Sequence, residues 1–161
     1  MPPGGTAATP HSKETPVTLN EGDFAPAFEA KTDAGKTLSL AELKGKSVVL
    51  YFYPKDDTPG CTIEACAFRD NRTAYEKKNA VILGVSLDGA DSHRAFKTKF
   101  GLPFTLLVDE GGNISRAFGV FNEGKGRAAR WTFVIGSDGR LKKIFPNVSV
   151  EGHAAEVLSA L

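Results

Sequence analysis

The chain predicts an α/β fold, a central mixed β-sheet flanked by helices. Apolar runs rich in β-branched and aromatic residues, without alternation, recur at 48–53, 81–87, 105–108 and 131–135. Such runs suit strands covered on both faces. Segments of helical period lie between them, which is the pattern of a sheet sandwiched by helices. The turn Ser137-Asp138-Gly139-Arg140 follows the last run and returns 141–145 as an antiparallel neighbour, so the sheet is mixed.

Residues 1–16 are rich in Gly, Pro, Thr and Ala. They cannot bury enough apolar surface to offset their ordering and read as a disordered or loosely attached tail. A single domain is expected at 17–161. Residues 24–32 and 36–39 flank Thr32-Asp33-Ala34-Gly35, whose Asp and Gly signal a turn. Ser39 and Glu42 have the spacing of a capping box, in which hydroxyl and carboxylate each satisfy an orphan backbone donor. Gly45 is placed to end the short helix they open. A helix is expected at 58–78 and another at 92–100, where Phe96 and Phe100 lie one turn apart and Gly101 is a stop. A third closes the chain at 150–161, where Ala154, Val157, Leu158 and Leu161 make one apolar stripe.

A length of 161 residues suits one substantial core. With 41% hydrophobic residues, 24% charged and a formal net charge of +1, nothing marks a nucleic-acid or membrane-surface partner. No stretch approaches the ~20 apolar residues of a membrane span. The tail has no secretory hydrophobic core, so a cytoplasmic location is expected. Only two cysteines occur, Cys61 and Cys66. Small secreted folds held by disulfides usually carry more, so this pair is a candidate for chemistry.

In the stretch YPKDDTPGCTIEAC at 53–66 a strand ends, a polar loop follows and a helix begins. Thr58 and Pro59 make a good N-cap and first helical position. Cys61 then falls in the first turn, where unpaired N–H groups and the positive end of the macrodipole favour an anion. Only the thiolate is nucleophilic, and a free cysteine with a pKa near ~8.5 is mostly protonated at neutral pH. Loops at the C-terminal ends of parallel strands are also where α/β proteins place their sites.

These residues resemble the peroxiredoxins, whose pattern Pro-x-x-x-Thr-x-x-Cys is matched by Pro54, Thr58 and Cys61. A second cysteine five residues on resembles the bacterioferritin comigratory protein (PrxQ) branch, the atypical two-cysteine group. The family's arginine lies in an Arg-x-Thr-Phe stretch, which Arg130, Thr132 and Phe133 match. The resemblance implies a thioredoxin-like fold and a thiol-dependent peroxidase. It makes Cys61 the peroxidatic nucleophile, Cys66 the resolving thiol and Pro54 a shield against water. Thr58 and Arg130 would hold the peroxide oxygens, with Glu64 orienting Arg130. The implied partners are a hydroperoxide substrate and thioredoxin or a similar dithiol reductant. No cofactor and no metal is expected, and the branch's habit points to a monomer. One departure is Trp131, bulkier than the small residue often found beside the arginine; another is Asn113-Ile114 after Gly111-Gly112, where over-oxidation-prone members carry Gly-Gly-Leu-Gly.

Two other functions are weighed against this. A thioredoxin-like oxidoreductase acting on proteins predicts Cys-x-x-Cys, whereas this chain has Cys-x-x-x-x-Cys. A non-catalytic module leaves the coincidence of Pro54, Thr58, Cys61 and Arg130 unexplained. His11, His93 and His153 are scattered in or beside expected loops or the tail. They are expected to be exposed, without zinc-ligand spacing. Phe96, Phe100, Phe104, Phe118 and Phe121 are expected to pack the core or line the pocket edge.

Spacing adds one requirement. On an ideal helix, positions i and i+5 lie about 8.7 Å apart between Cα atoms, beyond the ~7 Å reach of a disulfide. A Cys61–Cys66 bond therefore requires the helix to open locally.

Overall fold

The computed structural model describes residues 18–161; the readings made for 1–16, and for His11, fall outside them. β1 (Glu29–Thr32) and β2 (Thr37–Ser39) form a hairpin, followed by a 3-10 turn at Leu40–Leu43. Next come β3 (Ser47–Phe52), α1 (Pro59–Asp70), α2 (Arg72–Lys77), β4 (Ala80–Ser86), α3 (Ala90–Phe100) and β5 (Thr105–Val108). The chain then forms α4 (Asn113–Ala117), the two-residue strands β6 (Phe121–Asn122) and β7 (Arg127–Ala128), β8 (Trp131–Ile135), β9 (Leu141–Phe145) and α5 (His153–Ser159).

The main sheet is mixed and ordered β2-β1-β5-β4-β3-β8-β9. β3 lies inside it, parallel to β4 and antiparallel to β8. Its continuous apolar run follows from that position, because alternate side chains feed two separate cores. Val49, Tyr51 and Tyr53 pack with Phe68 of α1, Phe96 of α3 and Val157 of α5. Val48, Leu50 and Phe52 face the other way, into a cluster with Ile114 of α4, Phe118 and Phe133. The expected α/β sheet between helices is thus what forms, and 141–145 returns antiparallel to β8 as the turn chemistry required.

Several boundaries differ. The helix expected at 58–78 is two, because Asn71 sits at φ −102°, ψ 11° and turns its side-chain amide back onto the Ala67 carbonyl, 2.8 Å. Such local competition for a backbone acceptor ends helices. The last helix is shorter than 150–161 and starts behind Gly152, at φ 71°. Of 24–32 only Glu29–Thr32 is strand; Phe24 lies outside and forms a lone bridge with Arg140. The Ser39–Glu42 pair opens only a 3-10 turn, with the Glu42 carboxylate accepting from the Ser39 N–H at 2.9 Å. Phe96, Phe104 and Phe118 are buried as expected.

The histidine expectation is overturned. His93 is fully buried and His153 is 1% exposed. His153 packs edge-on against Phe68 and Phe145 while its Nε2 meets the Thr132 hydroxyl at 2.8 Å. Each ring is satisfied by a partner distant in sequence, which spacing does not reveal.

Candidate active site

β3 carries its ladder one residue past its end, with the Tyr53 N–H donating to the Val85 carbonyl at 3.0 Å. The chain leaves the sheet at half-buried Pro54 and re-enters regular structure at Thr58, whose extended backbone (φ −101°, ψ 156°) precedes Pro59 at the first helical position. Thr58 is therefore the N-cap in backbone, but its hydroxyl does not cap. It donates to the Lys55 carbonyl at 2.9 Å and closes the loop on itself. A hydroxyl so committed keeps its lone pairs, and can still accept from an O–H nearby.

Cys61 is the third residue of α1 and is 1% exposed. The first helical hydrogen bond of this turn runs from Thr62 N–H to Thr58 carbonyl, 2.8 Å. The N–H groups before it lie at the positive end of the helix. Arg130 arrives from the other side of the sheet position: β8 runs antiparallel to β3 with Trp131 opposite Phe52, so the residue before β8 stands where β3 ends. Its guanidinium donates from Nη2 to the Cys61 sulfur at 3.3 Å and from Nη1 to Glu64 Oε1 at 2.8 Å. Burial opposes the guanidinium charge, but Glu64 and Cys61 outweigh it and raise the Arg130 pKa.

Glu64 lies one helical turn beyond Cys61 and is 1% exposed. Burial pushes its carboxyl up to about 7, with Arg130 pulling the other way. Its second oxygen, Oε2, has no hydrogen-bond partner. The chain thus brings Cys61, Glu64 and Arg130 into one bonded cluster, with Thr58 and Pro54 on the loop leading into it. Cys66 is half-buried further along the same unbroken helix, and both thiols are free.

Gly60 was not singled out in the sequence. A Cβ there would stand 3.0 Å from Arg130 Nη2, so the guanidinium reaches the sulfur across a position with no side chain. The signal was available: glycine within the first turn of a helix lowers helix stability, and close approach is the usual reason to keep it. Gly60→Ala is expected to raise thermal stability slightly, because alanine is the better helix former by about 1 kcal/mol. Displacing the guanidinium by a few tenths of an ångström is expected to slow reaction with peroxide by about tenfold. Paired melting and stopped-flow measurements check the opposite signs.

Among the described residues no group of histidine, cysteine and carboxylate side chains is arranged to hold a metal ion. No helix of the described residues is long and apolar enough to cross a membrane.

Residues 22–144 match the model of the AhpC/TSA family. The chain is 47% identical over 151 residues to the peroxiredoxin Bcp of Bacillus subtilis, covering 90% of this chain and 96% of the relative. It is 46% identical over 145 residues to the chloroplastic peroxiredoxin Q of Populus jackii, covering 89% and 68%. Among solved structures, the peroxidoxin BcpB of Mycobacterium tuberculosis superposes with a TM-score of 0.84 at 32% identity, covering 89% of this chain and 96% of that one. The bacterioferritin comigratory protein of Xanthomonas campestris, a protein with alkyl peroxide reduction activity, does so with a TM-score of 0.79 at 36% identity, covering 83% and 88%.

Proposed function

The chain belongs to the AhpC/TSA family, in the Bcp/PrxQ group of peroxiredoxins with a thioredoxin-like fold, and from that premise we propose how its residues divide the work of a thiol-dependent peroxidase that reduces hydroperoxides. The observation that carries the proposal is the Arg130 guanidinium donating at once to the Cys61 sulfur and to Glu64.

The helix N-terminus and the guanidinium both set positive charge beside the Cys61 sulfur, which reacts as the thiolate. The sulfur attacks the terminal oxygen of the hydroperoxide. An S–O bond forms, the O–O bond breaks, and the departing alkoxide or hydroxide takes a proton to leave as alcohol or water. Negative charge moves from sulfur to the leaving oxygen, and a donor fixed beside both stabilises that movement without reorganising. Arg130 is placed for it, since it remains charged at any relevant pH and offers several donors in one plane. Thr58 accepts the O–H of the incoming peroxide, and Pro54 walls the sulfur from water.

The product on the enzyme is a Cys61 sulfenic acid. The Cys66 thiol condenses with it, releasing water and forming a disulfide. An external dithiol, for which the family favours thioredoxin, reduces that disulfide and is itself oxidised. The monomeric state and cytoplasmic location expected above belong to this proposal.

A single turnover tests it. Reduced protein mixed with one equivalent of hydrogen peroxide and read by intact mass within seconds is expected to lose two hydrogens. Cys66→Ser is expected to gain one oxygen instead, held on Cys61. A reaction no faster than that of a free thiol would remove the peroxidase reading.

A further inference from the structure

Asp56 lies between Pro54 and Thr58 and is 6% exposed. Its Oδ1 accepts from the Tyr53 hydroxyl at 2.6 Å, and its Oδ2 accepts from the Ser92 hydroxyl at 2.8 Å. The same Oδ2 stands 2.7 Å from His93 Nδ1. The other ring nitrogen of His93, Nε2, stands 2.7 Å from the Leu107 carbonyl oxygen. A neutral imidazole has one N–H and one lone pair. A carboxylate and a carbonyl are both acceptors, so a neutral ring would set its lone pair against one of them at contact distance. Only the doubly protonated ring donates to both. A proton on Oδ2 instead would compete with the Ser92 hydroxyl, which already donates there.

The loop held in this way is unusual. Asp57 has φ 58°, a left-handed conformation uncommon outside glycine. Its carboxylate is gripped by Lys99 at 2.8 Å, and the Asp56 N–H donates to Asp88 Oδ2 at 2.8 Å. Helix α3 therefore grips both aspartates of the 54–58 loop, through Ser92, His93 and Lys99.

We propose that His93 is kept as a buried imidazolium whose ion pair with Asp56 positions the 54–58 loop, and with it Thr58, at the mouth of the Cys61 site. The catalytic consequence rests on the peroxidase reading above; the charge state and the loop order do not. His93 is a positioning residue, acting through Asp56.

The charged and titratable groups facing the ring are Asp56 and Tyr53 from the loop after β3 and Asp88 from the segment before α3; β5 presents the Leu107 carbonyl. Burial disfavours the charged ring, but the Asp56 hydrogen bond and charge, the Leu107 carbonyl and Asp88 outweigh it and raise the pKa above the ordinary 6.5. A raised histidine pKa means that the grip is complete below 6.5 and is lost as pH rises through the folded value. Loss of the His93 ring proton as pH rises gives the pH–rate profile a falling limb.

Nitrogen-15 NMR of the histidine rings, hydrogen exchange at the Asp56 amide and the pH–rate profile test this together. Both His93 nitrogens are expected to carry protons at pH 7. Asp56→Asn is expected to lower the His93 titration by roughly one to three units. His93→Gln is expected to speed Asp56 amide exchange, to slow peroxide reaction at pH 7 by about tenfold and to abolish the falling limb. A single ring proton at pH 7, an unmoved titration in Asp56→Asn, or wild-type protection of Asp56 in His93→Gln would each overturn the proposal. Wild-type protein inert to peroxide at every pH, with a doubly protonated His93 and a protected loop, would support the positioning and remove only the peroxidase reading. Should His93→Gln not fold, the Asp56→Asn titration decides.

Discussion

Cys61→Ser is expected to slow hydroperoxide consumption by at least about a thousandfold while leaving the melting temperature close to that of the wild type. The two halves of that result have separate causes. Cys61 is 1% exposed and packs in the cluster of Ala65 and Phe68 beneath α1. Serine keeps its shape, and its hydroxyl can accept from the Arg130 Nη2 that now points at sulfur. What serine does not supply is an anion at neutral pH, since a hydroxyl is a far weaker acid than a thiol. Loss of peroxide followed in the presence of excess dithiol measures the rate, and calorimetry measures the fold. A serine variant that still consumed peroxide would move the chemistry to another residue.

The second large effect belongs to Arg130. Arg130→Met keeps most of the stem and removes both donors, so a loss of about a hundred- to a thousandfold in the peroxide rate constant is expected, as for deletion of one transition-state donor elsewhere. Stability should fall as well. Glu64 accepts from Arg130 through Oε1 and has no partner on Oε2, so the variant leaves a buried carboxyl with neither oxygen bonded. Breaking a buried ion pair in this way destabilises by about 3–5 kcal/mol, lessened here because the Arg130 side chain is 18% exposed and because a carboxyl already near 7 can take up a proton. Adding Glu64→Gln to Arg130→Met is expected to restore part of the stability and none of the rate. Recovery of both would mean that Arg130 serves the fold alone.

Much of this site was legible in the chain. Pro54, Thr58 and Cys61 sit on one short connection whose spacing survives any error in the strands around it. The Arg130–Glu64 pair spans 66 positions and was reached only through the family pattern, since neither residue announces a partner locally. The strands at 105–108 and 131–135 were placed well because a strand buried on both faces leaves an unbroken apolar run. Residues 58–78 misled because Phe68 and Tyr75 keep the helical period across Asn71; both are buried in the same cluster, so periodicity alone shows no break. His93 was misjudged for the opposite reason. It shares a face of α3 with Phe96 and Phe100, at i, i+3 and i+7, which argued for burial, but its counter-charge Asp56 lies 37 positions away. β6, β7 and the five-residue α4 are too short for any period to register.

The cycle proposed above requires α1 to be intact for one step and open for the next. Folded, the helix places Cys61 against Arg130 and keeps Cys66 out of disulfide reach. Opening it between these cysteines exposes little. Ile63 is already 52% exposed, Thr62, Cys66 and Ala67 are half-buried, and Ala65 is small. Glu64, held dry with one oxygen unbonded, gains water when the turn unwinds. Beyond it the helix is fastened: Phe68 is fully buried against Tyr51 and Tyr75, and Arg69 Nη1 donates to the Phe100 carbonyl at 2.7 Å. Hydrogen exchange compared between reduced protein and protein oxidised by one equivalent of peroxide reads this directly. Loss of protection at 61–67 on oxidation, with β3 unchanged, is the expected result. Equal protection across 61–70 in both states, with the disulfide verified by mass, would contradict it.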